Sequence, residues 1–123
     1  MNTTDIMTNN IVTNEDLAAW SATDQAKTVT YLDLRDTQVS DLNPLAGLTQ
    51  LTYLDLAVTQ VTDLYPLAGL KQLTHLRLWD TQVSDLYPLS ELTQLTYLDL
   101  RGTQVTDITP LQHLIDKGLY VHM

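Results

Sequence analysis

A chain of 123 residues, 44% of them hydrophobic, has room for one domain with one core. Its formal net charge of −9 and pI near 4.3 exclude the basic footprint of a nucleic-acid binder, and favour solubility and a partner with some basic surface. There is no cysteine, which removes disulfides, thiolate nucleophiles and cysteine-based zinc sites and suits a reducing compartment.

The polar start MNTTDIMTNN lacks the basic and apolar regions of a Sec signal. No stretch reaches the roughly 18 apolar residues of a membrane span. The chain is therefore expected to be cytoplasmic or exported without a Sec signal, with no membrane partner. Asn2-Thr3-Thr4 fits a glycosylation sequon, but without a signal peptide it carries no weight. Residues 1–10 are expected to fray. Thr13-Asn14-Glu15-Asp16 then precedes Leu17-Ala18-Ala19-Trp20. Thr13 can cap a helix whose third residue, Asp16, reaches back to it, so the pattern predicts a short helix over residues 14–20. Trp20 is expected to pack on the first repeat.

From Val29 the chain repeats. Leu51, Leu73 and Leu95 open units at intervals of 22 residues, reading VTYLDLRDTQVSDLNPLAGLTQ, LTYLDLAVTQVTDLYPLAGLKQ, LTHLRLWDTQVSDLYPLSELTQ and LTYLDLRGTQVTDITPLQHLID. The first third of each unit alternates apolar and polar residues, as in Leu73-Thr74-His75-Leu76-Arg77-Leu78, which predicts a short strand. The second half spaces its leucines three apart around a proline, as in Leu42, Pro44, Leu45 and Leu48, which predicts one 3₁₀ or α turn. A unit this small cannot bury enough to offset the entropy of ordering itself, so the units must stack and their strands must pair in parallel.

The consensus LxxLxLxxTxVxDLxPLxxL, in four tandem copies, resembles the 22-residue class of leucine-rich repeats, specifically its bacterial internalin-like type. The resemblance implies an α/β solenoid: a right-handed horseshoe with a parallel concave sheet of about five short strands, 3₁₀ or α turns on the convex side and a small N-terminal helical cap. Residues 1–28 would form the tail and cap, residues 29–116 the four repeats and residues 117–123 a C-terminal edge strand. The ladder asparagine usual in that family is threonine here, at Thr37, Thr59, Thr81 and Thr103. A hydroxyl donates one bond where an amide donates two, so the internal ladder is expected to be weaker or to recruit water. Residues 110–117 predict a longer turn or helix closed by Gly118, and residues 119–123 a last strand. Because the chain stops on that strand, it is expected to be part of something longer, to pair with another copy, or to tolerate a bare edge.

With the leucines inward, the residues between them face outward on the sheet and form columns. These hold Tyr31, Tyr53, His75 and Tyr97; then Asp33, Asp55, Arg77 and Asp99; then Arg35, Ala57, Trp79 and Arg101; then Asp36, Val58, Asp80 and Gly102. Most non-conservative differences between copies fall in these columns, before each proline, and in the end of the last unit. Free drift of exposed positions is one explanation. However, threonines and glutamines that should also be exposed, such as Thr52 and Gln60, stay fixed, and that favours a recognition surface. The candidate partner-binding set is Tyr31, Asp33, Arg35, Tyr53, Asp55, Val58, His75, Arg77, Trp79, Asp80, Tyr97, Asp99 and Arg101. Trp79 leads it, because an exposed tryptophan on a rigid sheet offers contact area at little entropic cost. Arg77, between Asp55 and Asp99, is also expected to relieve an acidic column through exposed ion pairs.

Asp41, Asp63, Asp85 and Asp107 precede the turns and are expected to accept backbone N–H bonds. The spacing of carboxylates and histidines matches no metal motif, and no Ser-His-Asp order, phosphate loop or HExxH is present. No metal, cofactor or catalysis is expected. The pattern points to a protein- or peptide-binding module using the sheet face. The alternative is a self-associating repeat scaffold, a homo-oligomer joined through the C-terminal edge or the concave face.

Overall fold

The computed structural model describes residues 11–123. The polar start and its sequon lie outside them. Helix α1, Asn14–Ser21, is followed by a 3₁₀ turn, Gln25–Thr28, and by a parallel five-stranded sheet in sequential order. Its strands are β1 (Tyr31–Asp33), β2 (Tyr53–Asp55), β3 (His75–Arg77), β4 (Tyr97–Asp99) and β5 (Tyr120–His122). Single 3₁₀ turns return the chain along the opposite side: Asn43–Leu45, Tyr65–Leu67, Tyr87–Leu89 and Thr109–Leu111, each with its proline in the first turn. The last turn runs on into the short helix α2, Gln112–Ile115.

One core fills the space between sheet and turns. Each repeat contributes the same inward set. In the third repeat this is Leu73, Leu76, Leu78, Val83, Leu86, Leu89 and Leu92, all at most 1% exposed. The strands pair without slippage, so Leu32, Leu54, Leu76, Leu98 and Val121 stack as one inward column. The last step is longer than the others, Tyr97 pairing with Tyr120 across 23 positions. The added residue is absorbed where α2 ends, at Gly118 with φ 116°, whose N–H bonds the Ile115 carbonyl at 3.0 Å.

The N-terminal cap forms as its sequence predicts and runs one residue further. Asp16 donates its N–H to Thr13 Oγ1 at 3.2 Å, and its carboxylate accepts the N–H groups of Thr13 and Val12. Trp20 is buried, as expected, beside Leu17 and Ile11 in the core. A tether not apparent from the sequence comes from Asn14, whose Oδ1 accepts the N–H groups of Ser40 and Asp41 at 2.9 and 3.1 Å. It fixes the helix to the first repeat.

The threonine column corrects an expectation. Thr37, Thr59, Thr81 and Thr103 each donate at 2.7 Å to the carbonyl of the leucine three residues earlier. The hydroxyl closes the corner of its own repeat and makes no ladder to the next. Linkage between repeats falls to the backbone, for example Gln60 N–H to Val39 O at 3.3 Å and Gln104 N–H to Val83 O at 3.1 Å, and to a different threonine column: the hydroxyls of Thr52, Thr74 and Thr96 donate to the carbonyls of Thr30, Thr52 and Thr74 at 3.1, 3.0 and 3.2 Å. Thr52 is thus partly covered and held by the fold, so its constancy between copies has a structural reason. Since Thr81 is 3% exposed, Thr81→Val leaves the Leu78 carbonyl unpaired and is expected to lower stability by about 1–3 kcal/mol. Substituting the neighbouring exposed Gln82 by alanine should leave it nearly unchanged, with denaturant unfolding as the measurement.

Candidate functional site

The outward columns of the sheet are where the repeats differ, and the strand register turns each into a physical array. The first is an aromatic ladder. Tyr31 and Tyr53 stack with centroids 4.4 Å apart and planes 13° off parallel; Tyr53–His75 and His75–Tyr97 follow at 5.9 Å, and Tyr97–Tyr120 at 5.8 Å. Parallel strands roughly 4.8 Å apart bring equivalent rings to stacking distance. The rings spend their faces on one another and offer edges and polar tips to a partner. Tyr120 belongs to this ladder but was not among the expected residues. The longer last step hides its equivalence to Tyr97.

The second column differs from expectation. Asp55 and Asp99 are 2% and 0% exposed, whereas an outward strand position predicts exposure. The strands end here, and each aspartate folds back to cap its own corner. Asp33, Asp55 and Asp99 accept the N–H groups of Arg35, Ala57 and Arg101 at 3.1, 3.0 and 3.2 Å. Asp99 also takes a two-pronged pair from Arg101, at 3.0 and 2.6 Å, and Asp33 a looser one from Arg35 at 3.3 Å. Asp55 has no arginine two residues on, because Ala57 stands there.

Arg77 replaces the aspartate in β3 and so gives up the corner-capping bond. The expected ion pairs with Asp55 and Asp99 do not form: among the described residues, ion pairs join Asp33 to Arg35, Asp99 to Arg101 and Lys71 to Glu91. The partly exposed Arg77 guanidinium instead lies 5.9 Å from the centre of the Tyr97 ring. Its charge still acts at a distance. Burial pushes the Asp55 carboxyl above its ordinary value, while the Ala57 N–H and the charges of Arg35 and Arg77 oppose the rise. Burial also pushes on Asp99, but the hydrogen bonds and charge of Arg101 win, leaving that carboxyl below its ordinary value.

In the third column Ala57 is fully covered, flanked in register by Arg35 and Trp79. Trp79 is half-buried, short of the full exposure expected. Its indole N–H has no protein partner among the described residues. The fourth column is set by the backbone. Asp36, Val58, Asp80 and Gly102 all sit in the left-handed region, with φ of 61°, 55°, 53° and 69°. Asp and Gly tolerate that conformation, so three of the four residues follow from the corner itself. A Cβ on Gly102 would collide with the Asp80 carboxylate. Val58 is the exception: a β-branched residue strained at this position and 37% exposed.

On the opposite side, Asp41, Asp63, Asp85 and Asp107 each accept the N–H two residues on at 2.9 Å, as expected from their place before the turns.

Stacked three-residue strands, a leucine core and one-turn returns define a leucine-rich-repeat solenoid. Residues 27–69 and 71–113 match the model for leucine-rich repeats in two copies, and the chain belongs to that family. Internalin C2 of Listeria monocytogenes is similar at 39% identity with a TM-score of 0.74, over 86% of this chain and 44% of its own, which makes this a bacterial, internalin-like repeat protein. A leucine-rich-repeat protein of Leptospira interrogans shares the fold at 19% identity, with a TM-score of 0.68 over 77% of this chain and 25% of its own. The chain thus spans less than half the length of either. No curated protein matches it in sequence. The family is in general one of protein–protein recognition.

Two expectations follow from the site. Val58→Asn keeps the corner with a residue at ease in it, and is expected to raise stability by about 1 kcal/mol in denaturant unfolding. For the carboxyls the signs oppose. Asp55 is raised, so its ionised form weakens the fold as pH climbs from its ordinary 3.8 through its folded value. Asp55→Asn should therefore be more stable than the parent at pH 7, with the gain vanishing below that window. Asp99 is lowered, so its contribution is present above 3.8 and lost as pH falls through its folded value. Asp99→Asn should be less stable at neutral pH, with the deficit closing in acid.

Proposed function

We propose that this chain is a non-catalytic recognition module that binds a protein or peptide through the sheet face, centred on the second and third repeats. One observation carries the reading. Arg77 and Val58 replace residues that serve the corners elsewhere, at a cost to local structure, and Trp79 stands beside them. Arg77 forgoes a backbone cap that the other three aspartates make, and Val58 holds a strained conformation. Costs of this kind concentrate where function selects the residue. The substitutions bring to the centre of the face a half-buried tryptophan and a guanidinium held on Tyr97. Tryptophan, tyrosine and arginine are the side chains that dominate interface energetics.

The size of the face bounds the partner. Five strands at roughly 4.8 Å span about 20 Å, and three-residue strands run about 10 Å, so the face covers roughly 200 Å², short of the ~800 Å² that each partner buries in a standard interface. A small epitope fits, or a larger one that also engages the flanking turns. Membership in the leucine-rich-repeat family supports a protein partner in general.

The test is a partner captured on the full chain and titrated against Trp79→Ala and Arg77→Ala, with circular dichroism showing both variants folded. Trp79→Ala is expected to weaken binding by about 2 kcal/mol, some thirtyfold. A loss below about 0.5 kcal/mol for both variants would remove the sheet centre from the interface.

A further inference from the structure

The second and third repeats also depart from their neighbours on the turn side. Tyr65 and Tyr87 open their 3₁₀ turns, where the first and fourth repeats carry Asn43 and Thr109. They are 58% and 63% exposed, and among the described large apolar side chains none is more exposed than Tyr87. Between them runs a shallow groove of about 240 Å³, lined by Tyr65, Ala68, Tyr87, Pro88, Ser90 and Glu91. We infer that this groove is a second docking surface, and that its occupant is an extended, basic, proline-containing segment of a partner protein.

The chemistry left available in the groove selects that occupant. Four of the five main-chain N–H groups of the lining residues are already taken: Ala68 N–H bonds Tyr65 O and Ser90 N–H bonds Tyr87 O, both at 3.0 Å. The N–H groups of Tyr65 and Tyr87 are held by Asp63 and Asp85 at 2.9 Å. A strand therefore cannot add here, since no unpaired backbone ladder is offered. What remains is two aromatic walls, an apolar floor and side-chain hydroxyls able to donate. A polyproline segment matches this set. It has no internal hydrogen bonds, its carbonyls are free acceptors, and each proline has no N–H that would need a partner. Aromatic-lined grooves are a recurrent seat for such segments.

Charge supplies the other half of the argument. Glu91 lines the groove, and Asp63 and Asp85 lie two residues before its tyrosines. Lys71 stands against them, 3.6 Å from Glu91, in a pair whose side chains are 55% and 83% exposed and thus weakly bound. The surroundings stay acidic in a chain of net charge −9, so arginine or lysine beside the prolines finds complementary charge. The surface faces away from the sheet, so this inference stands apart from the sheet-face reading.

The test uses the full chain and three synthetic peptides: one rich in proline with two arginines, one with alanine for each proline, and one with glutamate for each arginine. Calorimetry reads affinity and amide chemical shifts read location. The proline–arginine peptide is expected to bind at the turns of the second and third repeats, with the other two peptides weaker by about tenfold or more. The double variant Tyr65→Asn, Tyr87→Thr, which borrows chemistry the other repeats already fold with, should lose binding by a similar factor, while Trp79→Ala should not. Equal binding of the alanine peptide, absence of binding, or shifts confined to the sheet face would overturn the inference. So would a dimer in sedimentation that the double variant abolishes, because the groove would then seat a second copy of the chain.

Discussion

No repeat of this protein holds itself together, and every other feature follows from that. Each strand is three residues long and each return is a single turn, so neither element is stable alone. The parallel register between neighbouring strands is the interaction that makes the fold. It aligns leucines with leucines inside and, by the same step, outward side chains with their counterparts in the next repeat. The aromatic ladder needs no separate explanation: a tyrosine or histidine at one strand position, repeated at the sheet spacing, has to stack.

The same constraint makes exceptions informative. Where a column position serves the corner, as with the capping aspartates or the left-handed residues, the backbone dictates the side chain and repetition is expected. A residue that breaks such a position works against its own repeat. Arg77 and Val58 do so on the sheet side, and the loss of an arginine at Ala57 leaves Asp55 buried without the pair that Asp99 has. These departures sit in the second and third repeats, as do Tyr65 and Tyr87 on the far side. The outer repeats, which must also meet the cap and the last strand, stay closer to the consensus.

The period of 22 made the solenoid legible, and the Thr13–Asp16 pair, the pre-turn aspartates and Gly118 were legible because each carries a local chemical signature. What escaped was set by three-dimensional neighbours. Alternation places Asp55 and Asp99 outward but cannot show that strands this short bend the side chains back onto their own corners. Donor counting on threonine could not tell a bond within a repeat from one between repeats. Asn14 binds residues twenty-six and twenty-seven positions away, beyond any local pattern. The strain at Val58 was invisible because its column was read as a surface and not as a backbone conformation.

The division between inward and outward residues also bears on how two faces can diverge in one small chain. Sheet and turns are separated by a core whose inward residues barely change between repeats, so a substitution on one side meets the same leucines from above that its counterpart meets from below. Coupling between the faces would require a repeat to shift, and a shift is opposed by the register on both of its neighbours at once. The two central repeats have a full repeat on either side, whereas the first meets the cap on one side and the fourth only α2 and β5. They are therefore the positions where costly residues such as Val58 and Arg77 are best tolerated, since the stability they forgo is restored by stacking above and below. A central repeat can specialise on both faces because the repeats flanking it remain ordinary.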